Sequence, residues 1–296
     1  MTKERSIASR GRRIRRAIVI YVLVPYLSVV VIFTLLQRQL MYQPTKAESL
    51  PAAILQLDRD LALNVQLSTP DGETLHGWLV KHSAAEQETS GPILVYFPGN
   101  SLNRAHRTND VRDFRRCGFD VLIFDYRGYG DSTGSTSEAA LTRDARQIWN
   151  YVRDELGYPD DRIVVFGESL GGAVALSLWS RKDSGSMPRP AAVLLSSTFA
   201  SMPKTVRWQY PMFPFDLLVW DRWPSIDRIP QVKVPVIVFH GTNDRMIPIE
   251  QGRELAAAGS DARFIEILGG EHNEIPSEQL DAELIRLKSL MQSDVR

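Results

Sequence analysis

The sequence predicts an α/β domain, a mostly parallel eight-stranded sheet flanked by helices, carried behind one N-terminal transmembrane helix. Three observations lead there. Short apolar runs alternate with helix-length amphipathic stretches from about residue 62 onward. Residues 17–36 contain no charged side chain. Gly167-Glu168-Ser169-Leu170-Gly171 stands between a strand-like run and a helix-like one. The 296 residues are 44% hydrophobic and 24% charged, a globular composition that excludes a disordered or collagen-like chain. The single cysteine, Cys117, excludes an intramolecular disulfide framework and a cysteine-cluster metal site.

The zero net charge hides an asymmetry. Residues 1–16 hold seven basic side chains (Lys3, Arg5, Arg10, Arg12, Arg13, Arg15, Arg16) against Glu4, leaving 28 basic and 34 acidic residues elsewhere. A mildly acidic body argues against nucleic acid as a partner. The basic tail abuts twenty apolar residues, AIVIYVLVPYLSVVVIFTLL, at 17–36. As a helix they measure about 30 Å, the thickness of a bilayer core. Pro25 is tolerable in a membrane helix. A cleavable signal peptide has a shorter apolar stretch and a small-residue cleavage site, whereas this one runs into Gln37-Arg38-Gln39-Leu40. A core helix would carry a polar face. With Arg12, Arg13, Arg15 and Arg16 on one flank and only Arg38 and Lys46 on the other, the positive-inside rule puts the N-terminus in the cytoplasm. The large domain then lies on the other side, in a periplasm or lumen.

Residues 37–61 read as a connector with a short helix, and residues 62–296 as one domain. Strands at 64–68 and 74–80 flank Thr69-Pro70-Asp71-Gly72-Glu73, a hairpin turn signal. Residues 93–97 are apolar throughout, as a strand buried on both faces requires. A polar helix at 105–117 stops at Gly118, and a strand follows at 121–126. Ser135-Thr136-Ser137-Glu138 has capping-box spacing and opens a helix to about residue 156, closed by Gly157 and Pro159. Strands follow at 162–166, 191–196, 235–240 and 263–268, with helices at 170–181, 250–258 and 277–291. Residues 83–91 form a low-complexity loop.

The chemistry gathers at strand ends. A serine on a sharp strand-to-helix turn, with glycines giving steric room, is lifted above its sheet as a nucleophile. Serine needs a base, and the base an orienting acid. In folds with such a turn the order is Ser, acid, His. Asp244, in His240-Gly241-Thr242-Asn243-Asp244, follows one buried strand; His272, in Gly270-Glu271-His272-Asn273, follows the last. Ser169, Asp244 and His272 are therefore the predicted triad, with Glu271 and Asp221 as fallback acids. His240 ends a strand and is read as locally hydrogen-bonded; His76, His82 and His106 lie elsewhere. The oxyanion donors are the N–H groups of Leu170, at the helix start, and Asn100, in Phe97-Pro98-Gly99-Asn100 after the first buried parallel strand. Asp125-Tyr126-Arg127-Gly128 reads as a structural turn ordering the rim. An insert at about 198–227 holds Trp208, Tyr210, Phe213, Phe215, Trp220 and Trp223. It reads either as an apolar lid, with Trp208, Tyr210 and Phe213 as substrate contacts, or as packing that caps the sheet. No metal-ligand spacing is visible.

The pieces FPGNSLN, FDYRGYGDSTG, GESLGG, HGTND and GGEHNE together resemble the α/β-hydrolase superfamily over about residues 62–296. With the apolar N-terminal segment and Tyr42-Gln43-Pro44, they are similar to its membrane-anchored branch, which has serine aminopeptidase-like and lysophospholipase-like members. The resemblance implies hydrolysis of an ester, thioester or amide without a cofactor. It disfavours haloalkane or epoxide chemistry, whose enzymes place Asp where this chain has Ser169. The residues leave open a carboxylesterase, thioesterase or lipase acting on an acyl ester or lipid-like substrate. A peptidase or acyltransferase on the same triad, or a non-catalytic membrane-tethered scaffold, also stays open.

Overall fold

A computed structural model describes residues 11–83, 91–180, 187–272 and 275–293. Lys3, Glu4, Arg5 and Arg10 of the basic tail, most of the 83–91 loop, Arg181 and Asn273 lie outside the described residues.

The chain opens with an apolar helix, α1, Gly11–Met41. Pro25 has no N–H to offer the carbonyl four residues back, and the turn just before it widens. Val19–Leu23 is a π-turn in which the Val24 N–H reaches Val19. The helix runs five residues past its predicted end at 36, so the connector begins as helix. Gln37 and Arg38 are held there by residues near position 220.

After a two-residue strand β1 (Gln43–Pro44) comes the hairpin β2 (Ala62–Ser68) and β3 (Thr74–Val80). Strands β4 (Ile93–Phe97), β5 (Ser101–Leu102) and β6 (Asp120–Phe124) follow, with helix α2 (Thr108–Arg116) before β6. Helix α3 (Glu138–Asn150) leads to β7 (Ile163–Glu168), α4 (Leu170–Leu176) and β8 (Ala192–Ser196). Three short helices, α5 (Met202–Gln209), α6 (Phe215–Leu218) and α7 (Ser225–Arg228), make up the insert. Strand β9 (Val236–Gly241), α8 (Ile249–Ala258), β10 (Ala262–Ile267) and α9 (Ser277–Ser293) complete the chain.

The main sheet has eight strands in the order β10-β9-β8-β7-β4-β6-β3-β2. It is parallel from β10 through β6, and β3 joins β6 and β2 antiparallel. Period-two alternation sorts its side chains into two cores. Ile93, Val95 and Phe97 face one core with Val165, Leu195 and Val238; Leu94 and Tyr96 face the other with Phe166, Leu194 and Phe239. Burial on both faces explains why these strands read as continuous apolar runs.

Two features depart from the sequence reading. The α3 cap is Ser137, whose side chain accepts from the Ala140 N–H, rather than Ser135. Glu138 is then the first helical residue, and its carboxylate turns to the insert, accepting from the Trp223 N–H and Arg228. In addition, β1 pairs in parallel with β5, a two-residue ladder too short to leave a sequence signal.

Arg104 is buried beside the sheet. Its guanidinium meets Asp125, Asp131 and the Leu50 carbonyl. Burial pushes the Asp125 carboxyl up to about 6 although Arg104 opposes it. Arg104→Met would leave Asp125 unpaired, at a cost of about 3–5 kcal/mol near pH 7. The deficit shrinks as the pH falls toward about 6 and below, where Asp125 takes up a proton in the folded chain. Denaturant unfolding at pH 7 and pH 4.5 checks this; an equal loss at both would show that the charge is not what matters.

Candidate active site

Ser169 joins β7 to α4 with φ +52° and ψ −113°, a conformation that side-chain-bearing residues rarely adopt. Its N–H is fixed to the Ser196 carbonyl of β8 at 2.8 Å. The turn is sterically possible because Gly167, Gly171 and Gly172 around it lack side chains. A Cβ on Gly171 would lie 1.9 Å from the Phe97 carbonyl oxygen, and one on Gly172 1.9 Å from Thr198 Oγ1.

Parallel strands end at one edge, so the loops after β9 and β10 rise beside Ser169. Backbone bonds tie them together, Thr242 N–H to Ile267 and Asn243 N–H to Gly270. His272 Nε2 sits 3.1 Å from Ser169 Oγ, and His272 Nδ1 sits 2.7 Å from Asp244 Oδ2. Asp244 Oδ1 accepts from the N–H groups of Met246 (2.9 Å) and Ile247 (2.8 Å). Burial alone would raise the Asp244 pKa, but bonds from His240, His272 and Ile247 outweigh it and hold the group well below the usual carboxylate range. An ionised Asp244 only accepts, so His272 carries its proton on Nδ1 and turns the Nε2 lone pair toward the serine hydroxyl.

His240 is hydrogen-bonded locally, and it also touches Asp244. Its Nε2 lies 2.9 Å from the Ile247 carbonyl and 3.2 Å from Asp244 Oδ2. Both are acceptors, so Nε2 carries the proton. His82 pairs with Asp120 and His106 with Asn103, while His76 lies beside Gln66. Asp221, one of the predicted fallback acids, is instead committed to Arg38 and Tyr42. Arg127 binds Asp144 and Asp71 and orders the rim.

Asn100 and Leu170 border the cleft that holds Ser169 and His272. The Asn100 carbonyl accepts from the Gln43 N–H and the Tyr129 hydroxyl, and its amide donates to the Met41 carbonyl. These bonds fix Asn100 through its carbonyl and side chain; its N–H, in the preceding peptide, is the predicted oxyanion donor. Leu170, as the first helical residue, has an N–H without an intrahelical acceptor.

The cleft has a volume of about 290 Å3. Of the three predicted contacts only Tyr210 lines it. Trp208 points outward, and Phe213 packs between Tyr26 and Phe215. The sequence reading missed Phe33, Gln37, Leu40 and Met41, which line the cleft from α1. Only the unbroken helical period of 37–41 after the apolar stretch hinted at this. It also missed the buried cluster behind the serine, where Glu168 meets Tyr96 and Arg107.

A family model described as the alpha/beta hydrolase fold matches residues 92–228. A protein of Mycobacterium tuberculosis strain H37Rv with no assigned activity is 35% identical over 241 residues, 80% of this chain and 81% of its own. Lysophosphatidylserine lipase ABHD12 of Xenopus tropicalis is 31% identical over 194 residues, 60% of this chain and 49% of its own. Among solved structures, an esterase of Pyrococcus furiosus superposes with a TM-score of 0.64 at 18% identity, covering 85% of this chain and 98% of that one. This chain belongs to the α/β-hydrolase family.

Gly171→Ala is expected to destabilise the domain by at least the ~1–3 kcal/mol typical of overpacking, because the intruding carbon meets backbone rather than a movable side chain. Thermal unfolding checks it; an unchanged midpoint would mean that the loop at Phe97-Pro98 has room to give.

Proposed function

We propose that this protein is a membrane-anchored serine hydrolase that cleaves ester or thioester bonds through an acyl-enzyme. The observation that carries the proposal is the unbroken chain Ser169 Oγ, His272 and Asp244, at 3.1 and 2.7 Å, on a strained turn at the sheet edge. The lipase activity named for the Xenopus relative supports ester bonds over amides.

The steps follow from the geometry. His272 Nε2 takes the hydroxyl proton as Ser169 Oγ bonds to the substrate carbonyl carbon. Negative charge develops on the carbonyl oxygen, where the N–H groups of Leu170 and Asn100 receive it. The tetrahedral centre collapses, the alcohol or thiol leaves with the proton from His272, and the acyl group stays on Ser169. Water then repeats the sequence, with His272 as its base, and frees the acid. Asp244 holds the imidazole and stabilises its cationic form throughout.

Residues 17–36 are the anchor and 62–296 the catalytic domain, with 198–227 as a lid. Among the described residues α1 is the one helix long and apolar enough to cross a membrane. The arginines at 12, 13, 15 and 16 favour a cytoplasmic N-terminus and a catalytic domain on the opposite side.

Ser169→Ala in the full-length chain is expected to lower p-nitrophenyl ester turnover by at least about 10³-fold with the fold intact; retained turnover would remove the serine from the mechanism. Asp244 is held well below the usual carboxylate range, so the pH profile of wild-type kcat/KM should carry no carboxylate ionisation across the assay range. An ionisation near the ordinary carboxylate value would assign Asp244 a different role. Protease added to intact spheroplasts expressing the chain should digest residues 45–296; full protection would reverse the orientation.

A further inference from the structure

The apolar helix is part of the cleft. Phe33, Leu40 and Met41 of α1 face the same cavity as Ser169 and His272. The buried amide of Gln37 is consumed in holding that wall to the insert. It donates to the Thr34 and Leu218 carbonyls and accepts from the Trp220 N–H.

The insert lies along the helix rather than beneath it. Arg38 meets Asp221 at the lower end, Phe33 stacks on Phe215 at 3.7 Å, and Tyr26 stacks on Phe213 at 5.1 Å. The Tyr26 hydroxyl also donates to the Met212 carbonyl. From Arg38 to Tyr26 the helix rises about 18 Å, more than half of a ~30 Å hydrocarbon core. Whatever surrounds α1 at Tyr26 therefore surrounds the tip of the insert. From that tip down to Arg38 the insert carries an apolar surface: Met212 is 81% exposed, Leu217 76% and Trp220 52%. Trp220 lies beside Arg38, the pairing of ring and cation found where a chain leaves hydrocarbon for headgroups.

We propose that the insert is embedded in the bilayer alongside α1. The cleft then takes a long-chain acyl ester directly from the membrane, its chain lying against Phe33, Leu40 and Met41. This rests on Ser169 as the nucleophile and adds the substrate class and the surface that selects it. The lipid contact is continuous with α1 itself, which is why the occupant is the bilayer rather than a partner protein.

The test uses the full-length chain in phosphatidylcholine vesicles. Turnover of p-nitrophenyl palmitate relative to butyrate is measured for wild type, Met41→Trp and Leu35→Ala. Met41→Trp fills the wall and is expected to lower the palmitate-to-butyrate ratio at least tenfold. Leu35, exposed on the same helix, should leave the ratio within twofold. In parallel, Ser169→Ala is irradiated with palmitate carrying a diazirine on its chain, and the adduct is mapped by peptide mass spectrometry. Adducts within residues 33–41 are expected, a readout that needs neither turnover nor the folding of Met41→Trp. An unmoved ratio with adducts only elsewhere overturns the acyl wall and leaves ester hydrolysis standing. Adducts at 33–41 in a chain that hydrolyses no ester uphold the wall and overturn the hydrolase.

Discussion

One backbone turn sets the terms for the rest of the molecule. Holding Ser169 at φ +52° requires bare glycines on the helix side, and these let the Phe97-Pro98 backbone approach to contact distance. The same turn is braced by a hydrogen bond to β8. Strain at one residue is thus distributed over β4, β7 and β8, the centre of the sheet. Because these strands run parallel with β9 and β10, every loop at their carboxyl ends arrives at the same edge. The convergence of Ser169, Asp244 and His272 follows from sheet direction rather than from proximity in sequence.

The domain buries several carboxylates and gives each a different fate. Asp244 is ringed by donors and stays charged. Asp125, more deeply enclosed, is driven toward the neutral form in spite of Arg104. Asp110 is also pushed up, to about 6, by burial and by the nearby Glu168. The difference lies in the donor count set against the loss of water. Asp244 has two backbone N–H groups and two imidazoles, an arrangement that keeps an acceptor under His272 well below the usual carboxylate range.

Much of this was legible in the sequence. The buried strands announced themselves by apolar continuity, and their ends fell within a residue or two of the observed ones. The serine turn, the acid and the histidine could be placed because local signals put each at a strand end. What escaped reading were contacts between distant segments. Arg38 and Gln37 looked like connector residues, since nothing nearby shows that Asp221, Leu218 and Trp220 will meet them. Ser135 and Ser137 offer equivalent caps until Glu138 is seen to bind the insert. Trp208, Tyr210 and Phe213 were indistinguishable as aromatics; only the helical phase of α5 and the stacking on Tyr26 separate the one that faces the cleft.

The bond from Arg38 to Asp221 spans 183 positions. A ribosome adding roughly 5–20 residues per second takes on the order of 10–40 s to cover that interval. For that time the helix has emerged and its partner does not yet exist. The wall that α1 gives the cleft is therefore the first part to be made and the last to be closed.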